Sequence, residues 1–181
     1  HLLDADVEYP PRLRRMKIRY DYDKKVARAD ILAGFDKGKT YIRRYDTKKE
    51  YMVKYGEYKT CERAYLGEEM PFPELPNDLK YKGTLTIRGI QCNVWVSDDA
   101  ASNIRINVYE RPSDLVPVRL TRESLIDGEW TPLISYDFTH IKVQPQEASV
   151  YTIPGGYTHK TCTRNVFGFP YIHVFDYYMR F

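Results

Sequence analysis

The 181-residue sequence has no run of about 18 consecutive apolar residues, which excludes a membrane-spanning helix. Its first residues, His1-Leu2-Leu3-Asp4-Ala5-Asp6, have neither a basic head nor a long apolar stretch and do not read as a secretory leader. The expectation is a chain whose leader has been removed, or a piece excised from a longer one. A dominant charge is missing as well. The 28 Lys and Arg residues are interleaved with 25 Asp and Glu, for a net charge of +3, so no large field of one sign exists to hold a polyanion. Nucleic acid is therefore not an expected partner, and the clusters at Arg12, Arg14, Arg15 and Lys17 and at Arg43 and Arg44 read as solvated strand faces. Catalytic signatures are absent too. There is no Gly-x-Ser-x-Gly elbow, no Gly-rich phosphate loop and no Cys-Gly-Ser/Ala-Cys-Trp run, and no cysteine opens a helix that would activate it beside His140 or His159.

What the sequence does have is tyrosine, 17 copies of it, within an ordinary hydrophobic fraction of 43%. An apolar ring with a polar tip suits half-buried strand faces, so this excess points to β structure. Gly and Pro break the chain into short runs, almost none with helical spacing over the ten or more residues a helix requires. Alternation over Arg15–Tyr22 places Met16, Ile18, Tyr20 and Tyr22 on one face. In the next strand Ala27, Ala29, Ile31 and Ala33 face inward, with Arg28, Asp30 and Leu32 opposite. Phe35-Asp36-Lys37-Gly38-Lys39 is a hairpin connection in which Gly38 supplies positive φ.

Further strands follow at Lys39–Tyr45, Tyr51–Tyr55 and Tyr58–Tyr65, and consecutive strands joined by short turns pair as antiparallel neighbours. Pro71, Pro73 and Pro76 make Gly67–Asp78 a long crossover. Strands resume at Gly83–Ile90, Cys92–Val96, Ile104–Tyr109, Pro117–Thr121 and Leu133–Val143. The predicted arrangement is a single β domain over 1–181, with a core at about 12–144 and an irregular extension over 145–181. One core is the expectation for this length.

The extension is aromatic, with Phe167, Phe169, Tyr171, Phe175, Tyr177, Tyr178 and Phe181. Such a run must pack on something, the domain's own sheet or a partner chain, and these seven residues are the candidates for partner docking. The cysteines are Cys61, Cys92 and Cys162, an odd number that leaves one thiol over. A bridge between Cys61 and Cys92 would close a loop worth roughly 3 to 4 kcal/mol of chain entropy. Three buried reduced thiols are the alternative. His159 and Cys162 have metal-ligand spacing but no second pair, and copper on His1 with His140, His159 or His173 is a minor reading. No metal and no other cofactor is expected.

The order of features is informative. Tyr20-Asp21-Tyr22 and Tyr41–Asp46 lead to Cys61 and to Pro71-Phe72-Pro73-Glu74-Leu75-Pro76; Gly83, Gly89-Ile90-Gln91-Cys92-Asn93-Val94-Trp95, Val108-Tyr109 and Pro117-Val118-Arg119-Leu120 follow. Over roughly 15–165 this resembles the extra N-terminal β domain that precedes the inhibitory propeptide in some papain-family cysteine proteinases. These include the two-chain insect haemocyte type and the counting-factor-associated proteins of amoebae. More distantly, Thr131–Phe138, Val150–Pro154 and Cys162 are similar to ependymin-related, LolA-like domains. The resemblance implies an all-β fold, a strongly curved antiparallel sheet or half-barrel around an apolar concavity. It also implies a disulfide between Cys61 and Cys92, which leaves Cys162 unpaired or interchain.

Candidate concave-face residues are Ile18, Tyr20, Ala29, Ile31, Ile134, Tyr136 and Phe138. The implied function is that of a non-catalytic accessory or regulatory domain, secreted or lysosomal, whose partner is a papain-like proteinase chain or the rest of its own precursor. The alternative is a module that binds a lipid or other apolar ligand. No catalytic residue is expected within the chain.

Overall fold

The computed structural model describes residues 15–34, 36–71, 75–99 and 101–169. The chain is all-β, with two open sheets and no α-helix among the described residues. Its contacts divide it into two units, residues 15–71 together with 145–169, and residues 75–144.

In the first unit the strands are β1 (Arg15–Asp21), β2 (Val26–Ala33), β3 (Lys39–Arg44), β4 (Lys49–Lys54), β5 (Thr60–Tyr65) and the short β11 (Thr163–Arg164), paired in the order β1-β2-β3-β4-β5-β11. The first five form the antiparallel meander that short turns dictate, while β11 pairs with β5 in parallel. Asp36 and Gly38 in the β2–β3 turn both have positive φ, as the hairpin requires.

Strand alternation gives this sheet two different faces. One row across it runs Ile18, Ala29, Tyr41 and Met52. The alanines let larger neighbours close over the strands, and Tyr41, Tyr45, Met52, Leu66, Met70 and Phe169 complete a buried cluster flanked by Met16, Ile18, Tyr20 and Tyr22. The opposite face carries Arg19, Arg28, Ile42, Tyr51 and Arg63 in one row and Lys17, Asp30, Thr40, Val53 and Cys61 in the next.

The second unit is an antiparallel sheet of β6 (Lys80–Ile87), β7 (Ile90–Asp99), β8 (Ile104–Glu110), β9 (Pro117–Ile126) and β10 (Glu129–Asp137), in the order β10-β9-β8-β7-β6. Two tight hairpins organise it. Arg88-Gly89 and Asp127-Gly128 both have positive φ at each residue, the backbone of a two-residue turn whose twist matches the flanking strands. Cys92, fully buried, packs with Ile87 and Val118.

Candidate functional site

Residues 145–164 lie over the polar face of the first unit as a strap, and the reason is visible in the side chains beneath. Apart from two short 3-10 turns, Ala148–Tyr151 and His159–Thr161, and β11 at its end, the strap has no regular structure to satisfy its carbonyl groups. Basic side chains on the sheet do so instead. Arg28 donates to the Val150 carbonyl at 3.0 Å and Lys59 to that of Gly155 at 3.0 Å. Arg44 reaches the Tyr151 carbonyl at 3.4 Å. Arg63 donates through Nη1 to the carbonyls of His159 at 2.7 Å and Cys162 at 2.6 Å. Under the strap Ile42, Tyr51 and Val53 pack against Ile153 and Tyr157, and Cys61 is bonded to Cys162.

Asp30 neutralises the basic row. It accepts from Arg19 at 3.0 Å, from Arg28 at 3.0 and 3.1 Å and from Thr40 at 2.7 Å. Burial pushes its carboxyl upward, but the Arg28, Thr40 and Arg19 contacts outweigh that, and it titrates below the usual carboxylate range. At the far end of the strap Tyr51 Oη and His159 Nδ1 lie 2.9 Å apart, and desolvation together with Lys49 and Arg63 depresses the imidazole pKa. The Tyr151 hydroxyl bonds to Gln146, and burial, with Asp21 nearby, raises its pKa to about 12.

On the opposite face an ion pair sits inside the core. Arg43 and Glu50 are register partners, 3.3 Å apart and both buried, and Arg43 also donates to Tyr45 at 3.0 Å and Glu68 at 2.6 Å. Burial raises the Glu50 pKa despite Arg43. Glu50 accepts the backbone N–H of Phe169, which anchors the end of the described chain over Tyr41, with ring centroids 6.3 Å apart.

These two anchorages create the most exposed aromatic side chain among the described residues of the unit. Cys162 and β11 are fixed on one side and Phe169 on the other, so the intervening residues must turn sharply. Asn165 donates its N–H to the Arg63 carbonyl at 2.8 Å, and its side-chain oxygen accepts the Phe167 N–H at 3.0 Å. Gly168 has φ +72, a conformation that favours glycine. The turn pushes Val166 and Phe167 outward, 70% and 93% exposed, beside the sheet edge at which Tyr65 is 73% exposed.

The docking candidates therefore divide. Phe167 is presented to solvent, whereas Phe169 is only 8% exposed and is a core residue, because Glu50 and Tyr41 hold it. Tyr171, Phe175, Tyr177, Tyr178 and Phe181 lie outside the described residues. The concave-face candidates also divide. Ile18, Tyr20, Ala29 and Ile31 share the core of the first unit, and Ile134, Tyr136 and Phe138 belong to the second, where Tyr136 stacks on Phe138 at 6.4 Å.

The expected disulfide is corrected. Cys61 pairs with Cys162, not with Cys92, and Cys162 is neither free nor interchain. The physical reason is placement. Cys61 points from β5 toward the strap that carries Cys162, with a Cα separation of 4.7 Å, whereas Cys92 is a free buried thiol on β7 of the other unit. Among the described residues no group of three or more His, Cys, Asp or Glu side chains is placed to hold a metal ion. His1 and His173 lie outside them.

No family model and no curated protein matches the chain. Among solved structures, a DUF1329 family protein from Desulfovibrio piger aligns over 65% of this chain and 68% of its own, at 16% identity and a TM-score of 0.27. A superposition that loose assigns neither fold nor function.

Proposed function

We propose that this chain is a non-catalytic accessory module of a papain-like cysteine proteinase, docking to protein through the edge formed by Tyr65, Val166 and Phe167. The observation that carries this reading is Phe167. A large apolar ring held in water by a disulfide, an Asx-type turn and a buried neighbour two residues on is pre-organised for a partner, and such aromatic anchors dominate binding energy at protein interfaces. The packing of Met52, Met70, Tyr41 and Phe169 over Ala27 and Ala29 favours docking over an apolar-ligand role for this face. The sequence resemblance supplies the proteinase context. The Cys61–Cys162 bond is compatible with an oxidising compartment, and the proposed setting is secretory or lysosomal.

Surface plasmon resonance of the full chain against a papain-like zymogen tests the proposal. Saturable binding, together with no peptide hydrolysis by the chain alone, is the expected result. Absence of binding, or thiol-dependent cleavage by the chain itself, would overturn it.

A further inference from the structure

The second unit contains a half-open cavity of about 210 Å3 at one end of its sheet. Ile90, Val118, Phe138 and Ile141 contribute apolar wall, and Arg88 and Arg111 bring guanidinium groups to it. The volume lies below the ~300–1,000 Å3 typical of sites for drug-sized ligands, room for a compact small molecule and too little for a lipid chain.

The ion pairs beside this cavity are incomplete. Arg88 and Arg119 share a single oxygen of Asp137, at 2.5 and 2.7 Å, and Arg111 pairs with Asp114 at 3.1 and 2.7 Å. Two guanidiniums line the cavity, those of Arg88 and Arg111, and Arg88 has only a share of its carboxylate because Arg119, outside the lining, draws on the same oxygen. Donors are left over as well. Arg88 spends three N–H groups on Asp137 and on the carbonyls of Val118 and Phe138, leaving its Nε and one Nη1 hydrogen unengaged among the described residues. Arg111 uses Nε and Nη2 on Asp114, and its Nη1 donates to nothing among them.

The frame around these donors is fixed. Arg88 occupies the tight β6–β7 turn at φ +48, Arg111 is tied into its loop by N–H donation to the Val116 carbonyl at 2.9 Å, and the Phe138 N–H extends the β9 pairing through the Val118 carbonyl at 2.9 Å. His140, at φ +59, also lines the cavity. A pocket with one apolar wall and unengaged, pre-oriented guanidinium donors matches an amphipathic anion. We propose that this cavity binds a small organic carboxylate, its apolar body against Ile90, Val118, Phe138 and Ile141 and its carboxylate on Arg111 and Arg88.

Isothermal titration of the full chain with benzoate tests this, with the neutral isostere benzamide and the bodiless anion acetate as controls. Benzoate binds saturably with a Kd of about 1 mM or tighter, and both controls bind at least about tenfold more weakly. Arg111→Gln, at a half-exposed site, weakens benzoate about tenfold and leaves benzamide unchanged. Ile141→Trp, which fills the cavity from its rim, abolishes benzoate binding, with circular dichroism confirming the fold of both variants. No saturable binding up to about 20 mM, equal affinity for benzoate and benzamide, or wild-type affinity in both variants would overturn the proposal.

Discussion

Removing the Cys61–Cys162 bond perturbs one unit and leaves the other alone. Both cysteines belong to the first unit, and they are 101 residues apart in sequence. For a fully flexible loop of that length, the chain-entropy relation gives about 4.7 kcal/mol of stabilisation at 25 °C. Residues 75–144, however, form a unit of their own inside the loop. If they remain folded while the first unit unfolds, only about 30 residues of the loop are free, and the same relation gives about 3.7 kcal/mol. With a urea m-value of about 2 kcal/mol/M, the Cys61→Ala/Cys162→Ala variant should lose about 2 M in the midpoint of one transition, with an m-value somewhat higher because the unfolded chain without the bridge is less compact. The transition of the second unit, followed through the reactivity of the buried Cys92 thiol, should stay where it was. An equal shift in both transitions would refute the separation into units. No shift in either, or a non-reducing peptide map with Cys92 in the bridge, would refute the pairing.

Three further outcomes follow from single side chains. Phe169→Ala should cost about 3 to 4 kcal/mol in urea unfolding, because the ring is buried against Tyr41, whereas Phe167→Ala, two residues away and in solvent, should fall within about 0.5 kcal/mol of wild type. Asp30→Asn should cost about 2 kcal/mol or more at neutral pH, since Arg19 and Arg28 lose their shared counter-charge. The Asp30 pKa is lowered on folding, so its stabilisation is fully present above the unfolded value near ~3.9 and is lost as pH falls through the folded one. The thermal midpoints of wild type and Asp30→Asn should therefore converge below about pH 4, and a gap that stays constant into acid would contradict the assignment.

Much of the first sheet was legible because its alternation is clean. Met16, Ile18 and Tyr20 lie opposite Ile31, Ala29 and Ala27, with Arg28 and Asp30 on the other face, the pattern that period two requires. The division into two sheets was not legible. A meander reads the same whether its strands share one sheet or two, and only the proline-rich crossover marks where the chain leaves the first. In the second sheet the tight turn at Asp127-Gly128 carries β9, expected to end at Thr121, on to Ile126. The strand expected over Leu133–Val143 runs instead from Glu129 to Asp137, and His140 beyond it has left the extended conformation. The disulfide could not be read either, since three cysteines carry no information about which two will meet. The exposure of Phe167 beside the burial of Phe169 depends on Asn165, Gly168 and Glu50 acting together, and no local pattern announces that.

Hydroxyl-radical footprinting of the full chain, free and bound to a papain-like zymogen, tests the proposed docking through the Tyr65–Phe167 edge most directly. In the free chain Phe167 and Tyr65 should label strongly and Phe169 and Tyr41 weakly, in line with their exposure. On binding, labelling of Phe167 and Tyr65 should fall sharply while that of the exposed Tyr58, just before the other end of β5, is unchanged. Protection that spares Phe167 and Tyr65 and appears elsewhere would contradict it.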